Sequence, residues 1–279
     1  MNSKGIVYIV ATPIGNLGDI TVRAIEVLKS VDRIAAEDTR HSQQLLKHLN
    51  IDTPLVSLHE HNERDKAIQL LDPVSRGATL ALISDAGTPL ISDPGYHLVR
   101  FAIEQGIRVV PIPGASALIA ALSVSGLSTD KFSFEGFLAS KAAARYKQLE
   151  NLVKEQRTLV FFEAPHRILS TLKEMVNVLG KSRKACIGRE LTKTFETIRY
   201  GLLADLLEWV ENDAMQQRGE IVIIVAGAED LVDEGISIEA QRVLKILLED
   251  LSVKQATRLA AKITGVRRHL LYEYALLLS

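Results

Sequence analysis

The 279-residue sequence has one cysteine, almost no net charge and no long apolar run. The single cysteine, Cys186, excludes an internal disulfide, and its place in an apolar strand-like run favours a small core residue over a nucleophile. Such cysteine usage fits a reducing cytosol. The net charge of -1 argues against a surface that binds nucleic acid everywhere, although local basic faces can exist within a neutral total.

No apolar stretch approaches the roughly 20 residues that a membrane-spanning helix requires. The longest such stretch lies near Ile221–Ala228. The N-terminal residues show none of the charged, apolar and small-residue segments of an export signal. We therefore expect a soluble cytoplasmic protein with no membrane partner. A hydrophobic content of 47% provides enough apolar surface for one large or two medium domains.

Residues 1–117 are predicted to form an α/β domain with a mostly parallel sheet, because strand-like runs alternate with helical patterns. The predicted strands are Ile6–Val10, Arg33–Ala36, Leu55–Leu58, Thr79–Ile83 and Arg108–Pro111. The predicted helices are Val22–Lys29, Ser42–Leu49, Asp65–Ser75 and Tyr96–Gln105.

Residues 118–228 are predicted to form a second domain, reached through a helix of small residues at Ala115–Val124. Its predicted strands are Lys131–Glu135, Thr158–Glu163, Lys184–Arg189, Glu196–Gly201 and Glu220–Ala226. Its predicted helices are Lys141–Lys154, Arg167–Leu179 and Leu202–Asn212. Two consecutive strands meet around Arg189–Lys193 with no helix between them, which implies a mixed sheet.

A helical tail is predicted over residues 236–279, after an acidic linker at Glu229–Gly235. Ala261 and Gly265 have the spacing that a helix-turn-helix uses for close helix crossing. The stretch Val253–Tyr272 contains no acidic residue. Its cations are Lys254, Arg258, Lys262, Arg267 and Arg268. Two interpretations stay open: a surface that binds phosphate, or a packed tail with solvated side chains.

Two Gly/Pro-rich loops follow predicted strands, at Thr12–Asn16 and Ser84–Pro89. Loops at the carboxyl ends of parallel strands are where open α/β sheets bind ligands, so the pair predicts one ligand site. Pro13 stands where a dinucleotide-binding motif requires glycine, which excludes that motif. A third loop, Pro111–Ala117, leaves another strand, and its amides and the Ser116 hydroxyl are suited to hold polar groups of the same ligand.

Acidic residues in and after the second loop have different predicted roles. Asp85, at the strand end, is suited to accept hydrogen bonds from a ribose or an amine. Asp93 is predicted to cap the helix that follows it.

Four polar clusters occur at predicted strand ends. Glu37–His41 and His59–Glu63 contain three histidines, but no pair has a recognised ligand spacing, so we expect substrate positioning and no metal. Glu163–Arg167 and Arg189–Lys193 lie in the second domain, where a structural salt-bridge cluster and a functional site are equally good interpretations.

These motifs, in this order, resemble the tetrapyrrole methylase superfamily of S-adenosylmethionine-dependent methyltransferases. The resemblance rests on Thr12–Leu17, Asp19–Thr21, Ala36–Arg40, His59–Glu63, Ser84–Gly95, Pro113-Gly114, Gly136–Leu138, Pro165–Arg167, Arg189–Lys193 and Arg218–Glu220. It implies two unequal α/β domains with S-adenosylmethionine in the cleft between them, in a homodimer. Within the superfamily, the resemblance is to the branch with a basic helix-turn-helix tail, which methylates a cytidine 2′-hydroxyl in the decoding region of 16S ribosomal RNA.

The resemblance also implies roles for individual residues. Cofactor contacts are expected from Pro13, Ile14, Gly15, Asp85, Ala86, Gly87, Pro113, Gly114, Ser116 and Ala117, with Phe162 and Ile223 near the adenine. RNA phosphates are expected at Arg40, Arg167, Lys193, Arg258, Arg267 and Arg268. Asn62 is expected to orient the ribose, and one of Glu163, His166 or His59 to take the hydroxyl proton.

Two other functions remain compatible with the sequence. One is a methyltransferase acting on a tetrapyrrole precursor, for which a carboxylated macrocycle would also favour arginine. The other is a ribosome-assembly factor that keeps the fold and binds RNA without catalysis.

Overall fold

The computed structural model describes residues 5–59, 63–228 and 238–278. The chain divides into two compact units, Met1–Gly227 and Ala228–Ser279. Both sheets belong to the first unit, so the boundary predicted between residues 117 and 118 lies inside it. The domain limits 1–117, 118–228 and 236–279 stay predictions. Within the described ranges, no helix has the length and apolar character needed to cross a membrane.

The first sheet has five parallel strands in the order β3-β2-β4-β1-β5, which confirms the predicted parallel sheet. The strands are β1 (Ile6–Val10), β2 (Arg33–Ala36), β3 (Leu55–Ser57), β4 (Leu80–Ile83) and β5 (Arg108–Ile112). The helices of this part are α1 (Val22–Ser30), α2 (Thr39–His48), α3 (Glu63–Ser75) and α4 (Tyr96–Glu104).

Buried side chains on both faces hold this sheet between helices. Strand β4 is buried along its whole length, as expected of a parallel strand covered on both sides. Leu80 and Leu82 join one core cluster, whereas Ala81 and Ile83 join the other, because successive side chains point to opposite faces. The continuous apolar run in the sequence therefore reflects two cores.

Capping side chains set where the helices begin. The Thr21 hydroxyl accepts a hydrogen bond from the Ala24 amide at 3.1 Å and starts α1. The Asp38 carboxylate accepts from the Arg40 amide at 2.8 Å. Because Asp38 satisfies these first amides, α2 begins at Thr39, before the predicted start at Ser42.

The second sheet is mixed, as predicted, with the order β6-β7-β10-β8-β9. Only β6 and β7 pair in parallel, and the other pairs are antiparallel. Its strands are β6 (Phe132–Phe137), β7 (Thr158–Glu163), β8 (Lys184–Arg189), β9 (Thr197–Leu202) and β10 (Ile221–Val225). The helices of this part are α5 (Ala117–Val124), α6 (Ala142–Asn151), α7 (Ile168–Leu179) and α8 (Leu203–Asn212).

One apolar cluster connects the two sheets. It combines Ile14 from the loop after β1, Leu118 from α5, and Val222 and Cys186 from the second sheet. Cys186 is buried, and burial raises the pKa of its thiol to about 11, so it packs as a small core residue. The loop after β1 is thereby anchored against the second sheet.

Three helices form the second unit: α9 (Ile238–Asp250), α10 (Val253–Thr264) and α11 (Arg268–Leu278). Their small core includes Leu244, Ala260 and Leu271. Gly265 ends α10 in the left-handed conformation at φ +73°, which glycine adopts most easily. The helical tail is therefore confirmed, whereas the predicted linker at residues 229–235 lies outside the described residues.

Candidate active site

Three loops at the carboxyl ends of β1, β4 and β5 are hydrogen-bonded to one another. Thr12 and Gly87 form an antiparallel bridge with amide-to-carbonyl distances of 2.9 and 3.1 Å. The Thr88 hydroxyl donates to the Ala115 carbonyl at 3.0 Å. Gly87 has a φ of +84°, and a Cβ there would lie 3.2 Å from Ile14 Cγ2. Loops from three strands thus form one continuous edge, where an open α/β sheet binds ligands.

A cavity of about 440 Å³ lies beside these loops and has residues of both sheets in its wall. Seven of the residues expected to contact a cofactor line it. They are Ile14, Asp85, Ala86, Gly87, Ser116 and Ala117 from the first-sheet loops, and Phe162 from β7. The structure therefore brings most of the expected cofactor residues around one space.

The prediction that Ile223 contacts the adenine is wrong, because the Ile223 side chain lies on the other face of β10. Ile223 is fully buried in the core formed with α7 and α8, on the face of β10 away from the cavity. Its neighbour Val222 lines the cavity instead, because side chains alternate along a strand. Ile221, at the first position of β10, also contributes to the wall.

Four other expected cofactor residues, Pro13, Gly15, Pro113 and Gly114, do not line the cavity. A Cβ on Gly15 would lie 2.4 Å from Lys193 Cγ. A Cβ on Gly114 would lie 2.9 Å from the Ala11 Cβ. These two glycines therefore allow close approach of the neighbouring chain segments at Lys193 and Ala11, and they do not contact the cavity themselves.

One wall of the cavity is acidic. We call Glu37, Asp85 and Asp93 the acidic wall; all three line the cavity. Asp85 accepts a hydrogen bond from the Asp38 amide at 3.1 Å. Burial, followed by the charge of Glu37, raises the pKa of Asp93 to about 6. Neither Asp85 nor Asp93 forms an ion pair with a described cation.

The prediction that Asp93 caps α4 is wrong. The N-cap residue is Gly95, and it makes no side-chain capping bond. The first amides of α4 are satisfied from α3, because the buried Glu63 carboxylate accepts from the His97 amide at 2.5 Å and from the Leu98 amide at 3.3 Å. Asp93 is thereby left to face the cavity.

The cluster at the end of β7 contains an ion pair between Glu163 and Arg167, which favours the structural interpretation of this cluster. The Glu163 side chain is 1% exposed, and its oxygens accept from the Thr171 hydroxyl at 2.5 Å and the Ala164 amide at 2.7 Å. Arg167 Nε lies 3.3 Å from Glu163 Oε1, and its Nη2 donates to the Leu138 carbonyl at 2.5 Å. Both side chains are thus held by contacts within this cluster, and the functional roles expected of them stay predictions.

The loop between β8 and β9 is likewise held by its own charges. Lys193 Nζ lies 2.8 Å from Glu190 Oε1 and 3.0 Å from Glu220 Oε2. Arg189 donates to Gln216 and to the Phe195 carbonyl. Lys193 is thus ion-paired within its own loop, and the RNA-phosphate contact expected of it stays a prediction.

Three other expected residues of the first unit do not line the cavity. His166 is exposed after β7, and His59 is partly buried after β3. Arg40 is exposed at the start of α2. Asn62 lies outside the described residues. In the described ranges, no group of three histidine, cysteine or acidic side chains is placed to hold a metal ion.

The second unit carries its cations on one surface. Lys254, Arg258 and Lys262 recur every four residues along α10, which places them on one helix face, and all three are exposed. We call these three the basic row. Arg267 and Arg268, at the start of α11, are also exposed. None of the five forms an ion pair with a residue in the described part of the chain.

Another part of the cavity lining is aromatic, and we call Phe162 and Phe137 the aromatic wall. The Phe162 ring packs edge-on against Phe134 and Phe137, with centroid distances of 4.8 and 5.7 Å. Phe137 also lines the cavity and is 52% exposed. An exposed apolar ring beside an open cavity is suited to contact a planar ligand.

These walls fit the S-adenosylmethionine that the sequence resemblance implies. That molecule carries a sulfonium and an ammonium cation, which match the acidic wall, and an adenine, which matches the aromatic wall. Ser116 and Ala117 at the N-terminus of α5 also line the cavity, and a carboxylate is favoured near a helix N-terminus. The donor set therefore suits each charged or planar part of the molecule.

Sequence reasoning did not assign several cavity residues to the site, among them Glu37, Asp93, Phe137 and Val222. Signals for two of them were present, since Glu37 lies in a polar cluster at a strand end and Phe137 in a segment that carries the resemblance. The position of Val222 could not be predicted, because every residue of β10 is apolar and the sequence pattern does not show which strand face points to the cavity.

Comparison with known proteins agrees with this geometry. Residues 6–207 match the family described as Tetrapyrrole (Corrin/Porphyrin) Methylases, and residues 234–279 match the RsmI C-terminal HTH domain. The ribosomal RNA small subunit methyltransferase I of Pseudomonas aeruginosa is 56% identical over 275 residues, covering 98% of each chain. The protein of the same name from Vibrio cholerae is 51% identical, covering 99% of this chain and 96% of its own.

Solved structures share the fold at lower identity. Uroporphyrin-III-C-methyltransferase from Thermus thermophilus is 19% identical, with a TM-score of 0.56, over 83% of this chain and 98% of its own. Another structure of that enzyme, complexed with S-adenyl homocysteine, is 18% identical, with a TM-score of 0.56, over 79% of this chain and 97% of its own. The chain belongs to the tetrapyrrole (corrin/porphyrin) methylase family, in the group of its ribosomal RNA small subunit methyltransferase I members.

Proposed function

We propose that this chain is a cytoplasmic enzyme that transfers the methyl group of S-adenosylmethionine to the 2′-hydroxyl of a cytidine in the decoding region of 16S ribosomal RNA. The observation that carries the proposal is the cavity with an acidic wall and an aromatic wall, beside three interlocked loops. The named relatives, identical at half or more of their positions, support the small-subunit RNA as the substrate.

The chain's own residues bind and align the reactants. The acidic wall attracts the cationic part of the cofactor, Phe162 and Phe137 contact its adenine, and Ser116 and Ala117 hold its carboxylate end. When bound, S-adenosylmethionine supplies an electrophilic methyl group. Methyl transfer is an in-line displacement, so the attacking oxygen must be aligned with the bond that breaks. Rigid loops that hold both reactants in this alignment contribute to the rate.

The exposed cations support a nucleic-acid substrate. Phosphate contacts are proposed for the basic row, for Arg267 and Arg268, and for Arg40 beside the first sheet. Cations spaced along one helix face form a positive strip that follows a phosphate backbone. Methylation of a tetrapyrrole does not require a basic tail. A non-catalytic assembly factor does not require an acidic wall that binds a cationic cofactor.

The test is mass mapping of ribose methylation in 16S RNA from cells that lack this chain. We expect one cytidine to lose its 2′-O-methyl group and the wild-type gene to restore it. An Ala117→Trp variant, which fills the cavity, is expected not to restore the methyl group. The matched Ala143→Trp change on the exposed surface of α6 is expected to restore it.

Each alternative gives a distinct result in this assay. Unchanged RNA methylation in the deleted strain, with a defect that Ala117→Trp does not rescue, contradicts the proposed substrate and favours a tetrapyrrole. A non-catalytic factor is favoured if Ala117→Trp restores normal ribosome assembly and no RNA methyl group depends on the wild-type or the variant gene.

We also propose that the chain is a homodimer, as the resemblance implies. Exposed apolar side chains at Ile119 and Val124 of α5 and at Tyr200 of β9 support this proposal. The Tyr200 hydroxyl donates to the Val124 carbonyl at 2.8 Å, which joins α5 and β9 in one surface. Sedimentation equilibrium is expected to give twice the 30.7 kDa chain mass, and Ile119→Glu to shift the protein toward the monomer.

A further inference from the structure

Of the three residues expected to take the hydroxyl proton, Glu163 alone is in the cavity wall of the described structure. Glu163 is held by Thr171, by the Ala164 amide and by Arg167. His166 and His59 do not line the cavity. The titratable groups that do line it are Glu37, Asp85, Asp93, Glu163 and Glu220.

We propose that Asp93 is the catalytic residue that takes the proton of the substrate hydroxyl, an assignment that rests on the proposed function. Glu220 is ion-paired with Lys193, and its side chain is 69% exposed to solvent. Asp85 is fixed by the Asp38 amide. Asp93 faces the cavity without a cation among the described residues, and Glu37 is its charged neighbour.

The loop that carries Asp93 is built to hold it there. Leu90 and Ser92 have left-handed backbones, with φ of +73° and +68°, although neither is a glycine. Such conformations cost of order 1 kcal/mol each and persist where the surroundings enforce them. Gly95 has a φ of +130°, and a Cβ there would lie 2.5 Å from Leu82 Cδ2, so only glycine fits. The loop turns Asp93 away from α4 and toward the cavity.

The surroundings of Asp93 suit proton transfer near neutral pH. Burial is the largest cause of the raised pKa of about 6, the charges of Glu37 and Asp85 act in the same direction, and a hydrogen bond with Ser84 opposes them. Glu163 and Glu220 are the other acidic residues that line the cavity. A base with a pKa close to the working pH combines an ionised state with useful proton affinity.

The charge of the bound cofactor is expected to control the protonation state of the Asp93 carboxyl. A bound cation beside the acidic wall lowers the pKa of Asp93 and releases its proton. During transfer the hydroxyl oxygen bonds the methyl carbon, the carbon–sulfur bond breaks with its electron pair left on sulfur, and Asp93 receives the hydroxyl proton. Loss of the positive charge raises the proton affinity of Asp93 again, and the proton passes to water after product release.

Proton release on cofactor binding tests this coupling without measuring activity. Titration of wild-type protein with S-adenosylmethionine at pH 6, in buffers of different ionisation heat, is expected to release about half a proton per site. Asp93→Asn is expected to release none, and the exposed Asp130→Asn control to behave like the wild type. Equal proton release by Asp93→Asn overturns the assignment.

Methyl transfer to small-subunit RNA gives the second readout. Asp93→Asn is expected to lower kcat by about 100-fold or more with a smaller change in the KM for S-adenosylmethionine. Glu37→Gln is expected to move the acidic limb of the pH profile to lower pH. An Asp93→Asn enzyme with weakened cofactor binding and normal kcat would make Asp93 a cofactor anchor and overturn the proposal. Absence of methyl transfer by the wild-type enzyme contradicts the proposed function itself.

Discussion

The loops at the ends of the two sheets look alike in sequence but use their charges differently. Around the second sheet, Glu163 is paired with Arg167, and Glu190 with Lys193, at distances of 3.3 and 2.8 Å. Around the first sheet, Asp85 and Asp93 face the cavity without a cation among the residues that the structure describes. Charges on the second sheet stabilise the fold, whereas those on the first sheet are available to a cationic ligand.

This difference separates structural polar clusters from functional ones. A buried carboxylate that accepts several hydrogen bonds and an ion pair is already compensated, so it gains little from a ligand. A half-buried carboxylate beside like charges is under-compensated, and a cationic ligand stabilises it. Changes to the charges at the second sheet are therefore expected to lower stability, and changes at the first sheet to weaken binding of a cationic ligand.

The largest effect on stability is expected for Glu163→Ala. Removal of this carboxylate leaves Arg167 and Thr171 without their partner in a buried site, which costs about 3–5 kcal/mol of unfolding free energy. Urea denaturation measures the change. Glu211→Ala, which breaks an exposed ion pair with Lys173, serves as control and is expected to cost less than about 1 kcal/mol. Equal losses in the two variants would contradict the structural role of Glu163.

The next effect is expected on cofactor affinity. Asp85→Asn removes one charge of the acidic wall while keeping the shape of the side chain, so calorimetry is expected to show binding of S-adenosylmethionine weakened by about 10- to 100-fold. Asp205→Asn, at the start of α8, is the matched control, and we expect unchanged affinity. If both variants bind equally well, the acidic wall does not recognise the cation.

A smaller effect is expected on the pH dependence of stability. Asp93 titrates near 3.8 in the unfolded chain and at about 6 in the folded one. Between these values the folded chain keeps a proton that the unfolded chain has released, so stability falls as pH rises and stays lower above about pH 6. Because an asparagine side chain cannot ionise, Asp93→Asn is expected to be about 1 kcal/mol more stable at pH 7, after allowance for solvent screening.

The measurement for this prediction is thermal or urea unfolding of both proteins across pH 3 to 8. The difference in unfolding free energy is expected to disappear below about pH 4, where Asp93 is protonated in both states. A constant difference at all pH values would mean that ionisation of Asp93 is not its source.

The smallest effect is expected in the tail. Arg258→Gln removes one cation of the basic row. For RNA binding, the slope of log affinity against log salt is expected to decrease in magnitude by about 1, which corresponds to one lost phosphate contact. Lys29→Gln, on the exposed surface of α1, makes the same charge change and is expected to leave the slope unaltered. A binding affinity that is flat with salt in the wild type would make the tail a packing element only.

The sequence predicted the architecture well because strand and helix signals are local. Thr21 caps α1 and Gly265 ends α10, and the positions of Gly/Pro turns located the three loops at the sheet edge. The ligand site followed from these loops, since parallel strands bring their carboxyl ends together.

The sequence could not assign charges to partners that are distant along the chain. Asp93 has a typical capping position, yet Glu63 supplies the cap for α4 from another helix. Ile223 and Val222 are equally apolar, and only the strand phase decides which one reaches the cavity. The sequence also did not predict that Arg167 donates to the carbonyl of Leu138, which lies 29 residues earlier. Each error concerns a tertiary contact.

A crystal structure of the chain with S-adenosylmethionine tests the central claim most directly. We predict electron density for the cofactor in the cavity lined by Asp85, Ala117 and Phe162, with its cationic part facing the acidic wall and Glu163 still bonded to Arg167. Density at another place, or a cofactor whose cations pair with Glu163 or Glu190 of the second sheet, would contradict it.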